Sequence, residues 1–136
     1  MGNTRIDLDT VASGRIVRFP DGGVVFIKGD SSEDAYLVVT GKVEIREGGR
    51  VLEAMARGEI FGEMALIDAE PRSASAVAVG ATELVVIDKF AFHALVRKDP
   101  DFALAIMRMM AERLRAMLHP RASAGDQMPL VPKLSA

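Results

Sequence analysis

Between residues 14 and 87 the apolar positions fall in short runs, mostly with a period of two, separated by clusters of Gly, Pro, Asp and Ser. Arg15 to Phe19 places Val17 and Phe19 on one face and Arg18 on the other. Pro20-Asp21-Gly22-Gly23 predicts a turn, Val24 to Lys28 a second strand, and Gly29 to Asp34 a polar loop. Ala35 to Thr40 is nearly all apolar and predicts a buried strand, which Gly41 interrupts as a kink or close-packing site would. Lys42, Glu44 and Arg46 alternate with Val43 and Ile45, the pattern of a half-buried strand. Glu47-Gly48-Gly49 predicts a hairpin turn, with Arg50 to Met55 pairing back. Ser73 to Val79 and Glu83 to Ile87 predict a final strand pair about Gly80. Strands this short at this spacing predict an antiparallel sandwich or barrel.

The period then lengthens to that of a helix. Asp88 is a good N-cap for a helix over Lys89 to Lys98, with Phe92, Leu95 and Val96 as its inward stripe. Asp99 caps a second helix whose first position, Pro100, loses nothing by lacking an amide. This helix runs to Leu118, before Pro120. Asp101, Arg108, Glu112 and Arg115 share one narrow face, and apolar side chains cover well over half the circumference. So wide an apolar surface needs cover from the core and from something further. Residues 1–13 carry only Ile6, Leu8 and Val11 as a weak amphipathic lead. Residues 121–136 read as a flexible tail.

Composition narrows the picture by exclusion. A chain of 136 residues predicts one domain, and a net charge of −2 gives no general nucleic-acid surface. The absence of cysteine removes disulfides and thiolate zinc sites. There is no signal-peptide pattern and no apolar run long enough to span a membrane, so a soluble, cytoplasmic protein is expected.

The candidate chemistry lies in Glu59 to Ser75. Gly62 lets the backbone turn tightly and approach a ligand. Glu63 to Ile67 reads as one helical turn, whose first amides point outward and favour an anionic oxygen. Arg72, stiffened by Pro71, offers a guanidinium fork suited to a phosphate. Glu63 is an acceptor-only carboxylate, which beside a phosphate makes sense as the acceptor for a sugar hydroxyl. Ser73, Ala74 and Ser75 leave room for a ligand. A surface salt bridge from Arg72 to Glu59, Glu63, Asp68 or Glu70 would account for the pieces singly. The whole constellation in order favours ligand binding.

Phe61-Gly62-Glu63-Met64-Ala65-Leu66, followed by Pro71-Arg72-Ser73-Ala74, closely resembles the phosphate-binding cassette of the cyclic-nucleotide-binding domain family. That family includes the sensor domains of catabolite activator proteins and kinase regulatory subunits. The resemblance implies a fold that is mainly β with C-terminal helices. It would be an antiparallel β jelly-roll barrel with a short phosphate-binding helix and two C-terminal α-helices as a lid. It also implies a division into a lead over 1–13, a binding domain over 14–120 (β-roll 14–87, lid helices 88–118) and a tail over 121–136. Phe61, Gly62, Glu63, Met64, Ala65, Arg72, Ser73 and Ala74 would hold a cyclic nucleotide, with Arg72 on the phosphate and Glu63 on the ribose 2′-hydroxyl. Cyclic AMP is favoured over cyclic GMP. Arg113, Leu114 and Met117 are the candidates for contact with the base. Lid closure would signal to an effector protein, and residues 100–118 would also serve a homodimer.

Other chemistries fit less well. A metal-dependent jelly roll needs clustered imidazole and carboxylate ligands, and His93 and His119, the two histidines, are far apart in sequence. A phosphodiesterase needs a metal or a base aimed at phosphorus, and Glu63 is the one cassette carboxylate with a role, that of holding the sugar. No catalytic residue, metal or cofactor is therefore expected. Two alternatives remain: an interaction module that kept the fold without the ligand, and a transcriptional regulator whose DNA-binding part is elsewhere. The tail is too short for a helix-turn-helix, so direct DNA binding is not expected.

Overall fold

The computed structural model describes residues 14–31 and 33–118. The expected lead over 1–13, the tail over 121–136 and His119 lie outside them. The elements are β1 (Arg15–Phe19), β2 (Val24–Phe26), β3 (Ala35–Glu47), β4 (Arg50–Met55), β5 (Ile60–Phe61), α1 (Met64–Asp68), β6 (Ser75–Ile87), α2 (Lys89–Lys98) and α3 (Pro100–Leu118).

The expected jelly-roll barrel is corrected by the strand ladders. The six strands form one antiparallel sheet in the order β1-β6-β3-β4, with β2 also on β6 and β5 also on β3. Among the described residues no ladder joins β1 or β2 to β4 or β5, so the sheet is not closed into a barrel. The fold is a mixed one of strands and C-terminal helices. Alternation reports which face of a strand is buried. It carries no information on which edges meet, and β2 and β5, at three and two residues, offer little edge to close with.

Gly41 is the kink and close-packing site its place in the pattern suggests, and Gly80, expected between two paired strands, is a kink as well. The strands expected on either side of Gly41 are one strand, β3, and those expected about Gly80 are one strand, β6. The two pair from Ala35↔Ile87 to Arg46↔Ser75, with register shifts between Val38 and Lys42. Gly41 holds φ +86°, and a Cβ there would lie 2.5 Å from both the Ala81 carbonyl and the Thr82 hydroxyl. Only glycine allows this conformation and this approach. The buried Thr82 hydroxyl sits 3.3 Å from the Lys42 amide and 3.2 Å from its carbonyl, which ties the kink together.

The kink also changes which side chains face inward. Val38 precedes it and Val43 and Ile45 follow it, yet all three pack in one cluster with Phe26, Met55, Phe61, Ala76 and Leu84. Ala35, Leu37, Val85 and Ile87 face the other way and receive Phe102, Ile106 and Met109 of α3, with Ile60 and Leu66. The helices behave as the sequence predicts. The Asp88 carboxylate accepts from the Ala91 amide at 2.7 Å, and α3 begins at Pro100. The β3–β4 turn carries positive φ at both Gly48 (+59°) and Gly49 (+80°), as a two-residue hairpin of this hand requires.

Candidate functional site

The short strand β5 pairs with β3 at Tyr36↔Phe61 and Leu37↔Ile60, which anchors the start of the cassette in the sheet. Phe61 is fully buried, its ring stacked on Tyr36 at 5.4 Å and tilted against Phe26 at 6.1 Å. Gly62 then turns the chain with φ +77°, and Glu63 holds the N-cap position of α1 with no side-chain bond to the helix. Ala65 and Leu66 pack inward, Met64 is half-buried, and α1 ends on Ala69 in the left-handed region. Ala74 is buried and Ser73 half-buried on the way into β6.

Arg72 is buried. Its backbone is fixed on the segment after β2: its amide donates to the Asp30 carbonyl at 2.9 Å and its carbonyl accepts from the Gly29 amide at 2.8 Å. Its guanidinium donates to the Gly62 carbonyl at 2.9 Å and the Asp34 carbonyl at 2.5 Å, and lies over the Phe26 ring at 4.0 Å. Burial pushes its pKa down, against the pull of Tyr36, Asp34, Glu63 and Asp30. A cation held where water is largely excluded favours the approach of an anion.

Glu63 is fully buried, an uncommon state for a carboxylate. Its Oε2 accepts from Arg113 Nη1 at 2.5 Å. Its Oε1 is buried with no hydrogen-bond partner among the described residues. Burial raises the Glu63 pKa, and the Arg113 charge, acting to lower it, does not outweigh that. A buried carboxylate oxygen without a donor is a costly arrangement that a hydroxyl donor would relieve.

The eight cassette residues chosen from sequence are thus gathered in one continuous segment, with Gly62, Glu63 and Arg72 all buried around one turn. The lid candidates divide. Arg113 reaches across to Glu63, also approaches the Ile60 carbonyl at 3.3 Å, and makes a longer ion pair with Glu53 at 3.6 Å. Leu114 is half exposed and Met117 half-buried. A cavity of about 260 Å³ lies between β4, β5 and α3, lined by Glu53, Met55, Ile60, Met109, Glu112 and Arg113 among others. Neither Leu114 nor Met117 lines it, and neither do Arg72 and Gly62. The cavity therefore lies beside Arg113, and neither Glu63 nor Arg72 lines it.

Sequence reasoning missed Glu53, Asp34 and Phe26. Glu53 had a weak signal: it is a charge two residues before Met55, which is buried. Asp34 and Phe26 had none, since one acts through its carbonyl and the other through a ring face. No group of three or more His, Asp or Glu side chains among the described residues is placed to hold a metal ion. No helix among them is long and apolar enough to cross a membrane.

Residues 16–99 match the family model described as the cyclic nucleotide-binding domain, more than half of the chain. The cyclic AMP receptor protein of Thermus thermophilus is 42% identical over 102 residues, covering 71% of this chain and 47% of that protein. The crystal structure of the Thermus thermophilus catabolite activator protein superposes with a TM-score of 0.71 at 39% identity, over 78% of this chain and 52% of that one. A structure described under a cyclic-GMP-dependent signalling pathway in bacterial phytopathogenesis superposes with a TM-score of 0.70 at 28% identity, over 79% of this chain and 89% of that one. The chain spans about half the length of the receptor and activator proteins it matches.

Proposed function

The chain belongs to the cyclic nucleotide-binding domain family, and from that premise we propose that it is a regulatory module and not an enzyme, and that its ligand is 3′,5′-cyclic AMP in preference to cyclic GMP. The phosphate sits on Arg72 and the amides near Gly62 and Ala74, and the ribose 2′-hydroxyl donates to Glu63. Phe61, Met64, Ala65 and Ser73 complete the wall. The binding domain spans 14–120, with 88–118 as its lid. The observation that carries this is the pairing of a buried cation, Arg72, with a buried carboxylate, Glu63, whose Oε1 has no donor. One end suits an anion and the other suits hydroxyls, as a cyclised sugar-phosphate presents them. The similarity to a cyclic AMP receptor protein supports the adenine choice.

Signalling runs through α3. Arg113 on that helix bonds the same carboxylate that takes the sugar, so a ligand that changes the demand on Glu63 changes the hold on the helix. The shift it can produce is bounded by its differential affinity for the two helix positions. The exposed face of α3 carries Leu104, Met107, Leu114 and Leu118, with half-buried Ala111 between them, spaced three and four apart. This is the spacing of a two-helix seam, and it supports a homodimer through residues 100–118 or contact with an effector protein.

Titration of the chain with cyclic AMP and cyclic GMP side by side by calorimetry tests the assignment. Saturable binding with cyclic AMP the tighter ligand is expected. Absence of heat, together with no rise in Tm at millimolar nucleotide, rejects it. The second reading, an interaction module without ligand, draws on the polar contacts that Arg72 and Glu63 already make inside the protein. It predicts self-association that is indifferent to nucleotide.

A further inference from the structure

Glu53 is drawn to the same guanidinium as Glu63. It sits on β4 opposite Ile45 of β3, whose side chain is fully buried in the interior cluster, so Glu53 shares that inward face. From the other side α3 delivers Arg113, whose side chain is only 13% exposed. Different nitrogens serve the two acids: Nη1 bonds Glu63 Oε2 at 2.5 Å and Nε faces Glu53 Oε2 at 3.6 Å. Each carboxylate keeps a second oxygen, Oε1, buried and without a hydrogen-bond partner among the described residues.

The charges do not balance. Glu59 before β5 and Glu112 of α3 line the same cavity as Glu53 and Arg113, and Arg72 acts on Glu63 from the far side of the cassette. Around Arg113 there are two desolvated carboxylates to one cation. Like charges raise a carboxylate's affinity for a proton, Glu53 acting so on Glu63 and Glu59 on Glu53. We propose that Glu53 is a positioning residue for the sugar-binding carboxylate: by sharing Arg113 with Glu63, it shifts the pH range over which Glu63 is ionised and accepts ligand hydroxyls. This rests on the ligand assignment above for its consequence, but not for its geometry.

The direction of the effect follows. Burial raises the proton affinity of both acids, and the Glu53 charge raises that of Glu63 further. A neutral side chain at 53 removes that contribution and the competing ion pair on Arg113 Nε. Ionised Glu63 then persists to lower pH. At high pH, where Glu63 is ionised in either protein, little changes.

The test has two arms on the full chain, with Glu53→Gln, nearly isosteric, and Glu53→Asp, which keeps the charge. In the first, the Glu63 carboxyl carbon is titrated by NMR in ligand-free protein. A lower midpoint in the Gln variant, with the Asp variant close to the parent, is expected; equal midpoints in all three overturn the proposal. In the second, cyclic AMP affinity is followed between about pH 4 and pH 8. The acid limb of the Gln variant should move to lower pH while the affinities converge near pH 8. Parallel curves displaced equally at every pH mean a structural role only and overturn the link to binding. If the parent binds no cyclic nucleotide at any pH, the ligand assignment fails, and the first arm still decides whether Glu53 governs Glu63.

Discussion

Arg72 closes on Gly62: its guanidinium donates to the Gly62 carbonyl at 2.9 Å, and a Cβ on Gly62 would stand 2.8 Å from that same nitrogen. The buried guanidinium and the turn that carries Glu63 are therefore one unit, and neither can be changed alone.

Gly62→Ala should separate shape from chain stiffness. It forces a side chain into φ +77°, at a cost of about 1–2 kcal/mol, and pushes against Arg72 as well. Gly29→Ala meets the same kind of φ, +93°, with nothing within 4 Å of the new carbon. Urea denaturation should show Gly62→Ala as the more destabilised, and calorimetry should show nucleotide affinity reduced in Gly62→Ala alone.

Arg72→Ala should reduce cyclic nucleotide affinity by several kcal/mol, about 3–5, as when one side of a buried charge pair is cut. It also strips the Gly62 and Asp34 carbonyls of their donor. Arg72→Lys keeps the charge but not the fork, and should recover only part of the loss. Parent-like binding by Arg72→Ala in a calorimeter would remove the phosphate assignment.

Glu63→Gln should lose sugar recognition without losing stability. The native pKa of Glu63 lies above its usual 4.5 because burial outweighs Arg113. A carboxylate raised in this way contributes stability that is fully present below the usual value and lost as pH rises through the native one. Near neutral pH the ionised parent is therefore at a disadvantage to a neutral isostere. The variant's Tm at about pH 7.5 should equal or exceed the parent's, and the gap should narrow as the pH falls. A Tm well below the parent's at neutral pH would contradict this.

Leu114→Glu should break self-association while leaving the fold alone. Leu114 is 50% exposed and belongs to neither buried cluster. Sedimentation should show a shift toward monomer, with unfolding cooperativity unchanged. A monomeric parent would reject the α3 seam.

The helices and the cassette were legible because their signals are local. Asp88, Asp99 and Pro100 mark helix starts by capping chemistry, and Gly62, Glu63 and Arg72 stand in a fixed order along the chain. The continuity of β6 was not legible, because Gly80 looks the same in sequence whether the chain reverses or merely kinks, and for Gly41 the sequence offered a kink or a close-packing site without choosing. Only the Gly41 packing against Ala81 and Thr82, about forty residues away, decides between them. Barrel closure failed as an expectation for a related reason: it is a property of edges, and edges have no sequence pattern. The role of Arg113 was half visible. Its place on α3 could be read, but its partners Glu53 and Glu63 are 60 and 50 positions distant.

Helix α3 is held unevenly along its length. Phe102, Ile106 and Met109 sink its first half into the core, while past Met109 Arg113 reaches over to the Glu63 carboxylate and the Ile60 carbonyl. Such a helix behaves as a cantilever clamped at its base. Amides beyond Arg113 should exchange with deuterium sooner than those near Ile106, and a small change of force at Glu63 would be magnified into a swing of the free end.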